Sequence, residues 1–238
     1  LTNTLNTFEK YMSHARYAVT GGAALAVWGY HGWQPKHVSI VCPPDDFEVI
    51  RSWAATAGCH LYPDRPDVLG LPVLPSCYAI AGPPPGGVKP DIREIKVKPL
   101  ESDYQFDCLH KVIPAGLDVK YKGWLGATVQ TKAVVLSLTS LLDQYSLAYV
   151  RVTTQPPSTD VAVTRERIKH AGNVGGLICW ILNRMNDAGW KETVPPRSAE
   201  RLTAANVPHV VDEKFWIPFI RKYPESIKLF AEAGLTDP

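Results

Sequence analysis

Leu5, Phe8, Tyr11 and Met12 fall near i, i+3, i+6 and i+7, and this spacing predicts a helix over residues 3–16. The run Tyr17-Ala18-Val19-Thr20 follows, β-branched and aromatic enough for a strand, and stops at Gly21-Gly22, where the backbone turns tightly. Residues 23–30 read as a short helix, and a loop leads to Lys36-His37-Val38-Ser39-Ile40-Val41-Cys42, a second strand closed by Pro43-Pro44. Strand side chains alternate in direction, so His37, Ser39 and Val41 share one face while Val38, Ile40 and Cys42 share the other.

A helix then runs to Ala57, with Asp45 or Asp46 as its expected cap and Gly58 as its stop. Residues 59–87 are rich in proline and glycine and predict loops and short edge strands, because proline cannot donate to a central ladder. Such a stretch serves either as a lid or binding surface or as a surface insertion. Residues 91–98 alternate apolar and charged side chains as the next strand, and residues 104–113 and 117–121 suggest two more. Residues 131–149 carry a helical stripe of Val134, Leu138, Leu141, Leu142 and Tyr145. Thr164 is placed to cap a long helix ending at Gly189, whose internal Gly172, Gly175 and Gly176 ask for close packing or a ligand. Three short helices are expected over residues 199–206, 212–223 and 225–233, with Phe215, Trp216, Phe219 and Ile220 docking on the helix before them.

The order strand, glycine turn, short helix, strand at Val19-Thr20-Gly21-Gly22 and Val38-Ser39-Ile40 resembles the nucleotidyltransferase-fold superfamily, in its toxin-like branch. That resemblance implies an α/β (α+β) fold, a mixed sheet flanked by helices over residues 1–126 and a helical C-terminal part over 127–238. It also implies carboxylates at two alternate positions of the second strand and a third on a later strand. Here the first two positions hold His37 and Ser39, and Glu94 is the best match for the third, with Asp91 the alternative if the alignment slides. Mg²⁺ needs hard oxygen ligands that an imidazole and a hydroxyl replace poorly, so no metal is expected unless carboxylates are recruited from Asp45, Asp46, Asp91 or Glu94. The R…KD…D pattern of the same relatives reads here as Arg165, Lys169, His170 and Asn173, again without its acidic positions.

Composition adds bounds. With 238 residues, 45% hydrophobic and 20% charged, the chain can bury a core. A net charge of +2 demands no nucleic acid, although lysines and arginines cluster at residues 89–98, 111–122 and 165–169. Five cysteines without CxxC spacing, no secretory pattern at the N-terminus and no long apolar run point to a cytoplasmic protein without a membrane span.

Two kinds of chemistry follow. In the first, Ser39 is a nucleophile, His37 its base, and Glu94 binds a cationic substrate group. Gly21 and Gly22 supply backbone N–H groups to an anion, and Lys36, Asp91, Arg93 and Lys96 complete the substrate-binding set. Because the superfamily handles nucleotides and tRNA ends, the concrete form is metal-independent amide formation from aminoacyl-tRNA, of the cyclodipeptide synthase type. In the second, the chain is a catalytically silent member that binds a nucleotide, RNA or a protein. Nucleotidyl transfer with relocated carboxylates and Mg²⁺ is the third expectation.

Overall fold

The computed structural model describes residues 1–28, 35–74, 90–113, 131–154, 161–185 and 213–232. Its elements run α1 (Thr2–Met12), β1 (Ala18–Thr20), α2 (Gly21–Val27), β2 (Val38–Cys42), α3 (Pro44–Thr56), β3 (His60–Tyr62), β4 (Arg65–Val73) and β5 (Asp91–Pro99). They continue as α4 (Asp103–Cys108), β6 (Lys111–Val112), β7 (Val135–Leu136), α5 (Leu138–Thr153), α6 (Val161–Met185), α7 (Glu213–Lys222), a 3-10 turn (Pro224–Ser226) and α8 (Ile227–Glu232). The chain divides into two compact units, one of Leu1–Asp107 with Lys111–Leu136 and one of Cys108–His110 with Ser137–Pro238.

The first unit is a mixed sheet flanked by helices, with strand order β3-β4-β5-β2-β1-β7-β6 among the described residues. This is the architecture the sequence resemblance implies. β2 runs parallel to β5 and antiparallel to β1, while β1 runs parallel to β7. Alternation gives the sheet two unlike faces. Val19, Ile40, Leu69, Leu71, Ile95 and Val97 share one and are at most 1% exposed. α1 packs on β4, and α3 packs on β3, β4 and β5. Leu5, Phe8 and Met12 are the buried stripe of α1 that the spacing predicts. Burying each such side chain contributes about 1.5–3 kcal/mol. In the second unit α5 packs on α6, and Tyr149 of α5 meets Phe215 and Phe219 of α7 edge-on at 6.1 and 5.2 Å between centroids. The aromatic face of α7 therefore docks on α5 and on Phe230 of α8, with Phe215 and Phe219 buried but Trp216 and Ile220 only partly so.

Several local expectations need correction. The proline-rich segment contains a nine-residue strand, β4, paired on both sides. Pro72 lies beyond the stretch that pairs with β3, and Pro66 falls at the register shift near Tyr62, so neither interrupts a regular stretch of the β3–β4 ladder. Residues 103–108 form a helix, not a strand, because the Ser102 hydroxyl accepts from the Gln105 backbone N–H and the Gln105 side chain accepts from the Glu101 N–H. The helix expected from residue 131 begins only at Leu138: Ser137 caps it by accepting from the Ser140 N–H, and Val135 is taken into the sheet. Neither aspartate caps α3. Asp46 accepts from the Arg16 backbone N–H and pairs with its guanidinium at 2.8 Å instead. α6 starts at Val161, ahead of Thr164, and a Cβ on Gly172, Gly175 or Gly176 would meet nothing within 4 Å among the described residues. The strand expected at 117–121 and the helix at 199–206 lie outside the described residues.

No helix among the described residues is long and apolar enough to cross a membrane.

Candidate functional site

The second face sets Thr20, Ser39, Glu94, Lys96 and Lys98 among the buried apolar side chains of Ala18, Val41 and Val68. β1 ends at Thr20, and Gly21 turns the chain at φ +62, a left-handed conformation that side chains other than glycine's rarely adopt. A Cβ built on Gly21 would lie 3.8 Å from Ser39 Cβ and 3.9 Å from its Oγ, so the Ser39 hydroxyl sits beside the turn. Ser39 is 6% exposed. Register then lays out a row across the sheet: Thr20 opposite Ser39, Ser39 opposite Lys96, and Lys96 opposite Val68. One step along, Glu94 faces Gly70, which faces His60.

His37 immediately precedes β2, on the side of Ser39, and is half-buried. Its pKa is lowered, first by desolvation and then by the positive charges of Lys96 and Lys98, against a smaller opposing pull from Glu94. The imidazole is therefore biased toward its neutral form, by burial first and by two lysines second. Lys98 has its own pKa lowered by desolvation and by Lys96, with Asp67 opposing. Neither lysine forms an ion pair among the described residues. Glu94 does: it accepts from Arg65 Nη1 at 3.0 Å, and the Arg65 guanidinium lies over the Tyr62 ring at 4.4 Å from its centroid. No hydrogen bond joins His37 to Ser39 among the described residues.

The structure thus brings Gly21, His37, Ser39, Glu94 and Lys96 onto one face, with Gly22 in the first turn of α2 and Lys36 exposed just before β2. Asp91 and Arg93 are not part of this cluster. Both are exposed, they pair with each other at 3.0 Å, and their strand parity is opposite to that of Glu94 and Lys96. Asp45 and Asp46 sit in the first turn of α3, with Asp46 held by Arg16. Arg165, Lys169, His170 and Asn173 belong to α6 in the other unit, where Arg165 and Lys169 are exposed. Two members of the polar face escaped the sequence reading. Lys98 follows Lys96 at i+2 and was legible from alternation alone, while Arg65 was hidden in the proline-rich stretch.

The donor set does not fit Mg²⁺. Where the resemblance calls for two carboxylates there are an imidazole and a hydroxyl, and the residue paired with Ser39 on the next strand is a lysine, Lys96. Glu94, the carboxylate two residues from Lys96 on the same face, is already paired with Arg65. Among the described residues no three His, Cys, Asp or Glu side chains are grouped to hold a metal ion. A face of lysines, a neutral imidazole and a hydroxyl is instead suited to an anion.

No protein-family model and no curated protein matches the sequence. Among solved structures, that of the antibiotic-resistance factor ANT(2'')-Ia, described as revealing substrate-regulated conformation dynamics, aligns with 79% of this chain and 94% of its own at 11% identity. The TM-score is 0.36, a distant likeness that by itself carries no argument about fold or function.

Proposed function

We propose that the polar face around Ser39 binds the phosphate of a nucleotide, free or at an RNA end, without a divalent metal. The observation that carries this reading is the pairing of Lys96 opposite Ser39, itself one of the two strand positions where the resemblance to nucleotidyltransferases calls for a carboxylate, with Lys98 at i+2. A carboxylate site reaches phosphate through a bound cation, and here the cation is supplied by the chain itself. The lysines supply charge, the Ser39 hydroxyl and neutral His37 supply hydrogen bonds, and the Gly21 turn leaves room beside the hydroxyl.

The finer version, metal-independent amide formation from aminoacyl-tRNA, asks for more. Ser39 Oγ would attack the ester carbonyl, pass its proton to His37 and release the 3′ or 2′ hydroxyl of the tRNA. That step calls for a His37–Ser39 hydrogen bond and a Glu94 free for the substrate amine. The absence of the first and the Arg65 pairing of the second favour binding without turnover.

Titration calorimetry of the full chain with pyrophosphate, AMP and uncharged tRNA, in EDTA and again in Mg²⁺, tests the reading. Binding that persists in EDTA and falls on Lys96→Gln and Lys98→Gln, with circular dichroism unchanged, is the expected result. Binding seen only with Mg²⁺, or none at all, would overturn it, and dipeptide release from charged tRNA would restore the group-transfer version.

A further inference from the structure

Beside the lysine face, on the outer two strands, three side chains are assembled into a layered stack. Gly70 of β4 makes it possible: a Cβ there would come within 2.9 Å of Ile92 Cγ2, 3.1 Å of His60 Cβ and 3.1 Å of Tyr62 Oη. A side chain at Gly70 would push on the Tyr62 hydroxyl and on His60, so the glycine leaves them room to lie over β4. The His60 ring meets Tyr62 edge to face at 4.5 Å and 82°. The Arg65 guanidinium lies over the Tyr62 ring. Glu94 then holds Arg65 from the side through Nη1.

This arrangement fixes a planar cation whose charge is already matched. Arg65 keeps 42% of its side chain exposed. Glu94 takes one N–H of the guanidinium, through Nη1, and Tyr62 covers one side of its plane, so the opposite side of the plane and the other N–H groups are what a ligand can meet. A flat, weakly hydrated guanidinium backed by an aromatic ring is a surface on which a nucleobase stacks. Its position suits that role. Glu94, which anchors it, stands two residues from Lys96 on β5 and on the same face, about 7 Å along the strand. A ligand with its phosphate at Lys96 and Ser39 directs its sugar and base across β5 toward Arg65.

We infer that Arg65, fixed between Tyr62 and Glu94, is the stacking platform for the base of a nucleotide whose phosphate occupies the lysine face. This rests on the anion-binding reading above and adds to it a preference for nucleotides over simple phosphates.

The test compares AMP with ribose 5-phosphate, which carries the same phosphate and sugar and no base, by calorimetry on the full chain. AMP is expected to bind roughly tenfold more tightly, in keeping with the stacking of one base. Arg65→Lys keeps the charge facing Glu94 but has no plane, and should bring AMP down to the affinity of ribose 5-phosphate while leaving the latter unchanged. Thermal melts of Arg65→Lys and a Tyr62→Phe variant, which retains the ring, control for folding, and Tyr62→Phe should keep the preference. Equal binding of the two ligands by the wild type, or a preference that survives Arg65→Lys, overturns the platform and leaves the anion site standing. Loss of ribose 5-phosphate binding in Arg65→Lys would make Arg65 a phosphate ligand and also overturn it. If neither ligand binds, both readings fall together.

Discussion

Ser39 and Gly21 meet at the head of the polar face: a side chain begun on Gly21 would lie 3.9 Å from the Ser39 hydroxyl, in ordinary contact rather than collision. Space therefore does not demand a glycine here. The backbone does, because φ is +62. Gly21→Ala should cost about 1–2 kcal/mol from the left-handed conformation alone. Urea denaturation measures it, and an unchanged midpoint would mean the turn adopts another conformation.

Lys96→Gln removes a charge without changing the length of the side chain much, and should weaken phosphate binding roughly tenfold, the worth of one charge-assisted hydrogen bond. Raising the salt concentration should shrink the difference, since a half-exposed charge is screened. Calorimetry at two ionic strengths decides. Equal affinities for the two proteins would remove Lys96 from the site.

His37 holds its proton less tightly when folded, so the unfolded chain takes up more protons in the window between the lowered folded value and about 6.5. The neutral ring's contribution is complete above that window and is lost as pH falls through it. His170, lowered by desolvation and by Lys169, acts in the same direction. Urea midpoints should fall from pH 7 to pH 5, less steeply in His37→Gln and less again when His170→Gln is added. Identical pH profiles in all three proteins would contradict this assignment. Protonated His37 adds charge to the face, so as pH falls phosphate affinity should shift in the favourable direction in the wild type relative to His37→Gln, the ligand's own protonation being common to both.

In the second unit Phe219 is 2% exposed and packs on Tyr149, Phe215, Tyr223 and Phe230. Phe219→Ala should destabilise by about 3–5 kcal/mol. The measurement also tests independence of the units: nucleotide binding at the lysine face is expected to survive at temperatures where the folded variant persists.

Arg16 ties the segment between α1 and β1 to Asp46 on α3 and to Asp103 on α4. Single changes Arg16→Ala and Asp46→Ala should each lower the melting temperature. The double variant should lose less than the two losses added, because both remove the same interaction. Additive losses would show that the pair is not coupled.

What could be read in advance depended on whether the local pattern and the tertiary setting agreed. Residues 91–98 alternate cleanly, and β5 is there; the parity that put His37 with Ser39 also put Glu94 with Lys96. Parity carried the site further than motif matching did, since it extends to Lys98 but separates Asp91 and Arg93. β4 was obscured because Pro66 and Pro72 argue against a paired strand, and only the short reach of β3 makes them harmless. β7 was lost inside a helical stripe that counted Val134, although Ser137 three residues before Ser140 marks the true start. Arg65 gave no signal, because its partner Glu94 comes 29 residues later and the strand between them was not expected.

The Trp28 indole donates to the Leu136 carbonyl at 2.8 Å, 108 positions away, beside the pairing of Val19 with Val135. Until that late stretch leaves the ribosome, β1 has a neighbour on one side only and its other edge stays bare. Assembly of the sheet centre is thus bound to chain elongation and to a long loop closure, which makes slow folding intrinsic to this topology. The indole itself should report the moment of closure as a change in its emission.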